Sequence, residues 1–166
     1  MAQEHDLNAT TSSAGPVSRF VAAMAVLGFV QASAVEPKVA TVDEFRTAMK
    51  DAGEAFAVIT MMTPTPAYLL NSVRGDELTQ VAIVRSQMAA SRTFLAAKRS
   101  AEGVRLSDEM LDALDDLDAI LRKSEPDQAA AIDAVEEVDK ACAACHRSMR
   151  EGNERTGYRF RPGIVG

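Results

Sequence analysis

Residues 132–149 read IDAVEEVDKACAACHRSM. Within this stretch Ile132, Val135, Val138, Cys142, Cys145 and Met149 recur at steps of three and four, the spacing of one face of an α-helix. Both cysteines of the chain thus fall on the apolar stripe of a helix. Ser124 and Pro126 lie just upstream, where a hydroxyl cap and an early proline restart a chain into helical geometry.

The same period runs through the rest of the sequence. Thr41 and Glu44 form a capping box, and Phe45, Met49, Ala52, Phe56 and Ile59 follow as the stripe of a first helix. It stops near Met61 and Met62, because Thr63-Pro64-Thr65-Pro66 follows and a proline disfavours helical geometry in the residue before it. The stretch 67–76, with Tyr68, Leu69, Leu70 and Gly75, reads equally as helix or as crossover loop. From Glu77 a second helix presents Val81, Val84, Met88 and Leu95 on one side and Arg85, Arg92 and Lys98 on the other, with Gly103 placed to end it. Ser107 is placed to cap a third, with Asp108 and Glu109 in its first turn and Met110, Leu114, Leu117 and Leu121 as its stripe. The opposite face of that helix carries Asp112, Asp115, Asp116 and Asp118, which reads as a solvated surface rather than a docking patch.

Four amphipathic helices joined by short connections predict an all-α fold, an antiparallel four-helix bundle. Composition agrees: tryptophan is absent, tyrosine occurs twice, and no segment reads convincingly as a strand. The tail alternates Tyr158, Arg159, Phe160 and Arg161 without an evident partner strand, so it is expected to pack over the bundle or the edge of a bound cofactor, with a docking segment for an acidic partner as the weaker alternative. A net charge of −6 repels phosphate backbones and argues against a nucleic-acid partner.

Near the start, Phe20–Val30 is an apolar run preceded by Arg19 and followed by Gln31-Ala32-Ser33-Ala34, an A-x-A cleavage pattern. Residues 1–34 therefore read as a secretory signal peptide, and 35–166 as the mature domain of a periplasmic protein with no membrane span. A core helix or an uncleaved anchor is the alternative for this run, which is shorter than the roughly 20 apolar residues a bilayer requires. Met1–Val17 is long and polar, with Glu4 and Asp6, unlike a compact basic leader; a start of translation near Val17 would leave an ordinary export signal. Cleavage at Ala34 removes His5 and leaves His146 as the single histidine.

Cys142-Ala143-Ala144-Cys145-His146 is the C-x-x-C-H arrangement of c-type haem attachment. Its spacing has a chemical reason. Two thiols must reach the two vinyl groups of one porphyrin while the next residue offers an imidazole nitrogen to the iron, and residues three and four apart share a helix face. A structural zinc site calls for four Cys or His ligands, of which the mature chain has three. A thioredoxin-like dithiol belongs beside a β-α-β pattern, and a plain disulfide would leave His146 without a role. One covalently attached haem c, with His146 on the iron, is the reading that uses all three residues.

With C-x-x-C-H near its C-terminus, Arg150 four residues beyond the histidine and Phe45-Arg46 to Met49 on its first helix, the chain resembles the class II cytochromes c, the cytochrome c prime family. The resemblance covers about the whole mature chain. It implies a four-helix bundle with haem beside the last helix, a first-helix residue facing the distal side of the iron, an arginine near the propionates, and a homodimer. Two positions depart from the family pattern: Lys50, not Met49, stands four after Arg46, and Met149 replaces a common aromatic.

Met49 as second iron ligand would give a six-coordinate centre suited to electron transfer with redox partner proteins; as a plain core residue it would leave a five-coordinate iron open to NO or CO. Phe45 and Phe56 would line the pocket, and Arg46 and Arg150 are candidates for the propionates through charge-assisted hydrogen bonds. Each of these four is also explained by ordinary packing or surface charge. No histidine remains on the distal side to act as acid or base, so no dedicated catalysis is expected.

Overall fold

Thr41 opens α1 (Val42–Met62) as its capping box requires: its hydroxyl accepts from the Glu44 N–H, and the Glu44 carboxylate accepts from the Thr41 N–H at 2.9 Å. Three more helices follow, α2 (Asn71–Ala97), α3 (Ala101–Leu121) and α4 (Gln128–Met149), then two short strands, β1 (Arg150–Asn153) and β2 (Gly157–Phe160). This computed structural model describes residues 37–65, 71–153 and 155–165, so the expected export segment 1–34 lies outside it, as do Tyr68, Leu69 and Leu70. Among the described residues no helix is long and apolar enough to cross a membrane.

Contacts between helices fix their directions. Arg85 and Arg92 of α2 pair with Asp115 and Asp108 of α3, so position numbers rise along one helix as they fall along the other. Phe45 against Phe94 and Thr63 against Glu77 give the same antiparallel sense for α1 and α2. Leu114, Leu117, Val81, Val138 and Ile59, all essentially without exposure, fill the shared core. A second cluster around Phe45, Phe94, Leu106 and Met149 closes the other end. Close backbone seams run between α1 and α2, α2 and α3, and α3 and α4, whereas α1 and α4 form no comparable seam.

Three boundaries differ from expectation. The second helix ends at Ala97, and Gly103 does not terminate it. Arg99 takes the left-handed turn itself at φ 58°, and Ser100 caps α3, its hydroxyl accepting from the Gly103 N–H. Gly103 therefore lies in the first turn of α3, where an added Cβ would sit 2.8 Å from the Met149 methyl; its small size serves packing rather than chain reversal. Ser107 is not a cap but a buried mid-helix residue whose hydroxyl donates to the Gly103 carbonyl. In α4 the cap is Asp127, and Ala131 rather than Ile132 takes the most buried stripe position.

The expectation of no strand also needs correction. Arg150 is already extended where α4 ends, so the partner of the alternating tail is the segment directly after the motif helix. Arg150 pairs with Phe160 and Asn153 with Gly157 in an antiparallel hairpin. Its turn is held by Asn153 Oδ1, which accepts from the Arg155 and Thr156 N–H groups, and Gly152 and Gly157 both take positive φ. The tail does pack over the bundle, as its apolar residues suggested: the Phe160 ring lies 4.9 Å from that of Phe45.

Candidate functional site

The missing seam between α1 and α4 is where the motif residues lie. Buried positions on α1 are Phe45, Ala48, Ala52, Ala55 and Ile59, which turn toward the common core. Met49 and Phe56, expected on that stripe, are only half-buried because they face sideways toward α4, and Gly53 lies between them on the same face. Opposite them on α4 stand Cys142, Cys145 and His146, on one continuous helix as the three-and-four spacing predicts.

Two cavities occupy the gap. One of about 230 Å³ is bounded by Met49, Ala52, Gly53 and Phe56 on one side and by Cys142, Cys145 and His146 on the other, with Val84, Met88 and Met110 as its floor. The second, about 370 Å³, runs under the hairpin between Phe45, Arg46 and Lys50 and the end of α4. Met49, Cys145 and His146 belong to both walls, so the cavities adjoin at the motif. Together they fall within the roughly 300–1,000 Å³ of ordinary small-molecule sites.

Electrostatics in the gap follow from its dryness. Burial pushes the Cys142 thiol up to about 11, with the nearby Asp139 carboxylate acting in the same sense. Cys145 is raised by burial too. His146 is lowered, first by burial and then by the positive charge of Arg150, with Asp139 opposing. A neutral imidazole keeps a lone pair free, the form in which histidine binds a metal. Cys142 Sγ lies 3.7 Å from Met110 Sδ, and both cysteines are free thiols. Among the described residues no group of three or more His, Cys, Asp or Glu side chains comes together to hold a metal ion.

The two arginines differ. The Arg46 guanidinium is exposed and bonded to Asp43 at 2.8 Å on its own helix. That of Arg150 stacks over the Tyr158 ring at 4.1 Å from its centroid, which holds it at the mouth of the larger cavity. Phe45 borders the same cavity, inside a ring cluster with Phe94 and Phe160.

Several lining residues escaped the sequence reading. Ala52 reads only as core in sequence and Gly53 and Lys50 carry no site assignment there, whereas Tyr158, Arg159 and Phe160, expected over the bundle or the haem edge, do line the larger cavity. Gly53 carried a signal, since a glycine inside a helix costs about 1 kcal/mol relative to alanine and so calls for a local reason. The two thiols, the imidazole and the thioether thus border one gap between α1 and α4, apolar within and cationic toward the hairpin. No protein-family model, curated protein or solved structure matches the chain, so it is these residues that identify the site.

Proposed function

We propose that the chain is an exported, periplasmic mono-haem c-type cytochrome of the cytochrome c prime kind, acting in electron transfer. One observation carries the reading: Cys142, Cys145 and His146 face Met49 across the one side of the bundle where neighbouring helices form no close seam. Haem c supplies a one-electron iron couple when bound there. Cys142 and Cys145 would hold it through thioether bonds, and His146 and Met49 would offer a nitrogen and a thioether sulfur to its iron, a pairing that would raise the potential. Burial keeps the His146 nitrogen unprotonated and available.

The remaining residues shape the environment. Phe56, Val84 and Met88 give the inner cavity an apolar lining, and Phe45 and Phe160 contribute apolar surface to the outer one. Arg150, fixed by Tyr158, and Arg46 stand where an anionic propionate edge would reach solvent, and Arg46 exchanges its exposed Asp43 partner at small cost. No dedicated catalysis is assigned: among the described residues His146 is the single histidine, which leaves none for the distal side.

A second reading has its own support. Gly53, exposed one turn from Met49, borders the inner cavity, and a Cβ added there meets no atom within 4 Å, so no side chain crowds that wall. If Met49 stays off the iron, a five-coordinate haem protein binding NO or CO results. Absorption spectra of oxidised and reduced holoprotein, with and without CO, in wild type and Met49→Ala, separate the two. A low-spin wild type that becomes high-spin and CO-binding in the variant is expected. A high-spin wild type that takes up CO readily would refute methionine ligation, and a low-spin spectrum indifferent to Met49→Ala would move it to Met88. Intact mass after acid-acetone extraction tests attachment: loss of all haem would refute the cytochrome reading itself.

A further inference from the structure

Charge is distributed unevenly over this acidic protein. Among the described residues the outer cavity is lined by Arg46, Lys50, Arg150 and Arg159 and by no carboxylate, although Asp43, Glu54 and Glu151 pair with three of these cations at its rim. On another side, the groove between α3 and α4 is lined by Glu109, Asp112, Asp116, Asp133 and Glu137 against the single cation Lys123. A chain of net charge −6 thus carries a cationic rim at the one place where its proposed cofactor comes nearest to solvent. The hairpin reinforces that rim. Arg161 donates to the carbonyls of Arg147 and Arg150, and among the described residues no carboxylate pairs with it.

Two anionic propionates would offset part of this charge, and Arg46 and Arg150 are assigned to them. Lys50 and Arg159 remain. Their side chains are 75% and 74% exposed, and their partners, Glu54 at 3.6 Å and Glu151 at 2.7 Å, are surface contacts that water or another anion replaces at small cost. We propose that the hairpin end of the bundle is the electron-exchange surface and receives an acidic face of a partner protein, with Lys50 and Arg159 as its main contacts. The acidic α3–α4 groove repels the same partner and so sets its orientation. This rests on the cytochrome reading above.

Oxidation of the reduced holoprotein by small ions of opposite sign tests the surface directly. One electron leaves the protein and one reduces the oxidant, hexacyanoferrate(III) or tris(phenanthroline)cobalt(III), with no bond formed or broken. Raising ionic strength from about 0.01 to 0.2 M shortens the screening length from about 30 Å to below 10 Å. The rate with the anionic oxidant is expected to fall about three- to tenfold over that range, against the sign of the net charge, while the cationic one does not slow. Lys50→Glu with Arg159→Glu should lower the anion-to-cation rate ratio at low salt about tenfold. Asp112→Lys with Asp116→Lys should leave it within about twofold. Taking the ratio removes any shift in driving force.

Calorimetric titration of the holoprotein with poly-L-glutamate gives a readout free of electron transfer: binding at low salt, abolished in the Lys50 and Arg159 double variant. An anionic rate that rises with salt, or an equal response to the groove variants, overturns the proposal. So does sedimentation with phosphatidylglycerol vesicles at about 0.15 M salt that the double variant loses, which would assign the rim to lipid. A chain without covalent haem refutes the cytochrome reading instead, a result that intact mass distinguishes from any of these.

Discussion

The seam between α2 and α3 and the gap between α1 and α4 are built from opposite materials. Between α2 and α3, fully buried Val81, Val84, Leu114 and Leu117 interlock, and Arg85–Asp115 and Arg92–Asp108 brace the outside in matching register. Between α1 and α4 the facing positions are mostly small, Ala52, Gly53, Ala141 and Ala143, with Met49, Phe56, Asp139 and the motif residues among them. Small side chains ordinarily let helices approach closely, yet here they border cavities. A bundle held by three tight seams can leave its fourth side open, and the chemistry sits on that side.

Leucine truncation gives the largest test of this contrast. Leu114 has no exposure at the centre of the core, so Leu114→Ala is expected to cost about 2–5 kcal/mol, the range for a cavity that neighbours cannot refill. Met49→Ala, in the haem-free chain, removes a half-buried side chain that already borders empty space and should cost about 1 kcal/mol. Urea unfolding midpoints of the two variants compare them. Equal losses would mean that α1 and α4 pack as tightly as the rest.

Glycine sharpens the comparison because one substitution should change sign between the two regions. At Gly103 an alanine methyl meets Met149 Cε at 2.8 Å, Ser100 Oγ at 2.9 Å and Leu95 Cδ1 at 3.1 Å. Gly103→Ala is therefore expected to destabilise by about 1–3 kcal/mol, as overpacking does. At Gly53 the methyl meets nothing within 4 Å, and Gly53→Ala should stabilise the haem-free chain by about 0.5–1 kcal/mol through helix propensity. Thermal melts decide both signs.

The packed side was the more legible in sequence. Its stripes are long apolar repeats, and the capping box at Thr41 marked the start of α1 where it occurs. Legibility failed where one residue type serves two purposes. Gly103 looked like a helix stop, but the reversal belongs to Arg99, whose left-handed backbone no composition rule singles out, and Ser107 looked like a cap because Ser100 lay inside the presumed helix. The hairpin went unread because β1 borrows the residues just after the motif, although glycines at 152 and 157 around Asn153 carry a turn signal. For the site, spacing alone grouped Cys142, Cys145 and His146. Which α1 residues face them depends on the rotation of that helix, and this turned Met49 and Phe56 out of the core stripe.

Among the described residues α2 buries two side-chain oxygens without a hydrogen-bond partner, Glu77 Oε2 and Ser91 Oγ, and only the first belongs to a group that titrates as an acid. Glu77 is fully buried in α2; its Oε1 pairs with the Thr63 hydroxyl at 2.8 Å, and its Oε2 has no partner among the described residues. Burial raises its pKa, with the Thr63 hydrogen bond opposing. The folded state then holds the proton more tightly than the unfolded chain, so stability is greatest below the ordinary carboxylate range and is lost as pH rises through the raised value. Glu77→Gln does not titrate and should be more stable than wild type at pH 8 by on the order of 1 kcal/mol, with the difference closing toward pH 4. Denaturation at the two pH values checks it, and a difference independent of pH would show that charge is not its cause.

The braces between α2 and α3 carry the smallest effect. Arg85 and Asp115 meet at 2.6 Å, but both side chains are about half exposed, at 54% and 52%. Water screens such a pair, and ordering two long side chains offsets much of its attraction, so a double-mutant cycle of Arg85→Ala and Asp115→Ala should return about 0.2–1 kcal/mol, shrinking with added salt. The fourth side of the bundle shows what that modest value implies. α1 and α4 have no seam to brace, yet both are held, because each is already packed against a neighbour through its own buried stripe. A coupling well above 1 kcal/mol would make charge, rather than apolar packing, the reason that the α2–α3 side is closed while the α1–α4 side stays open.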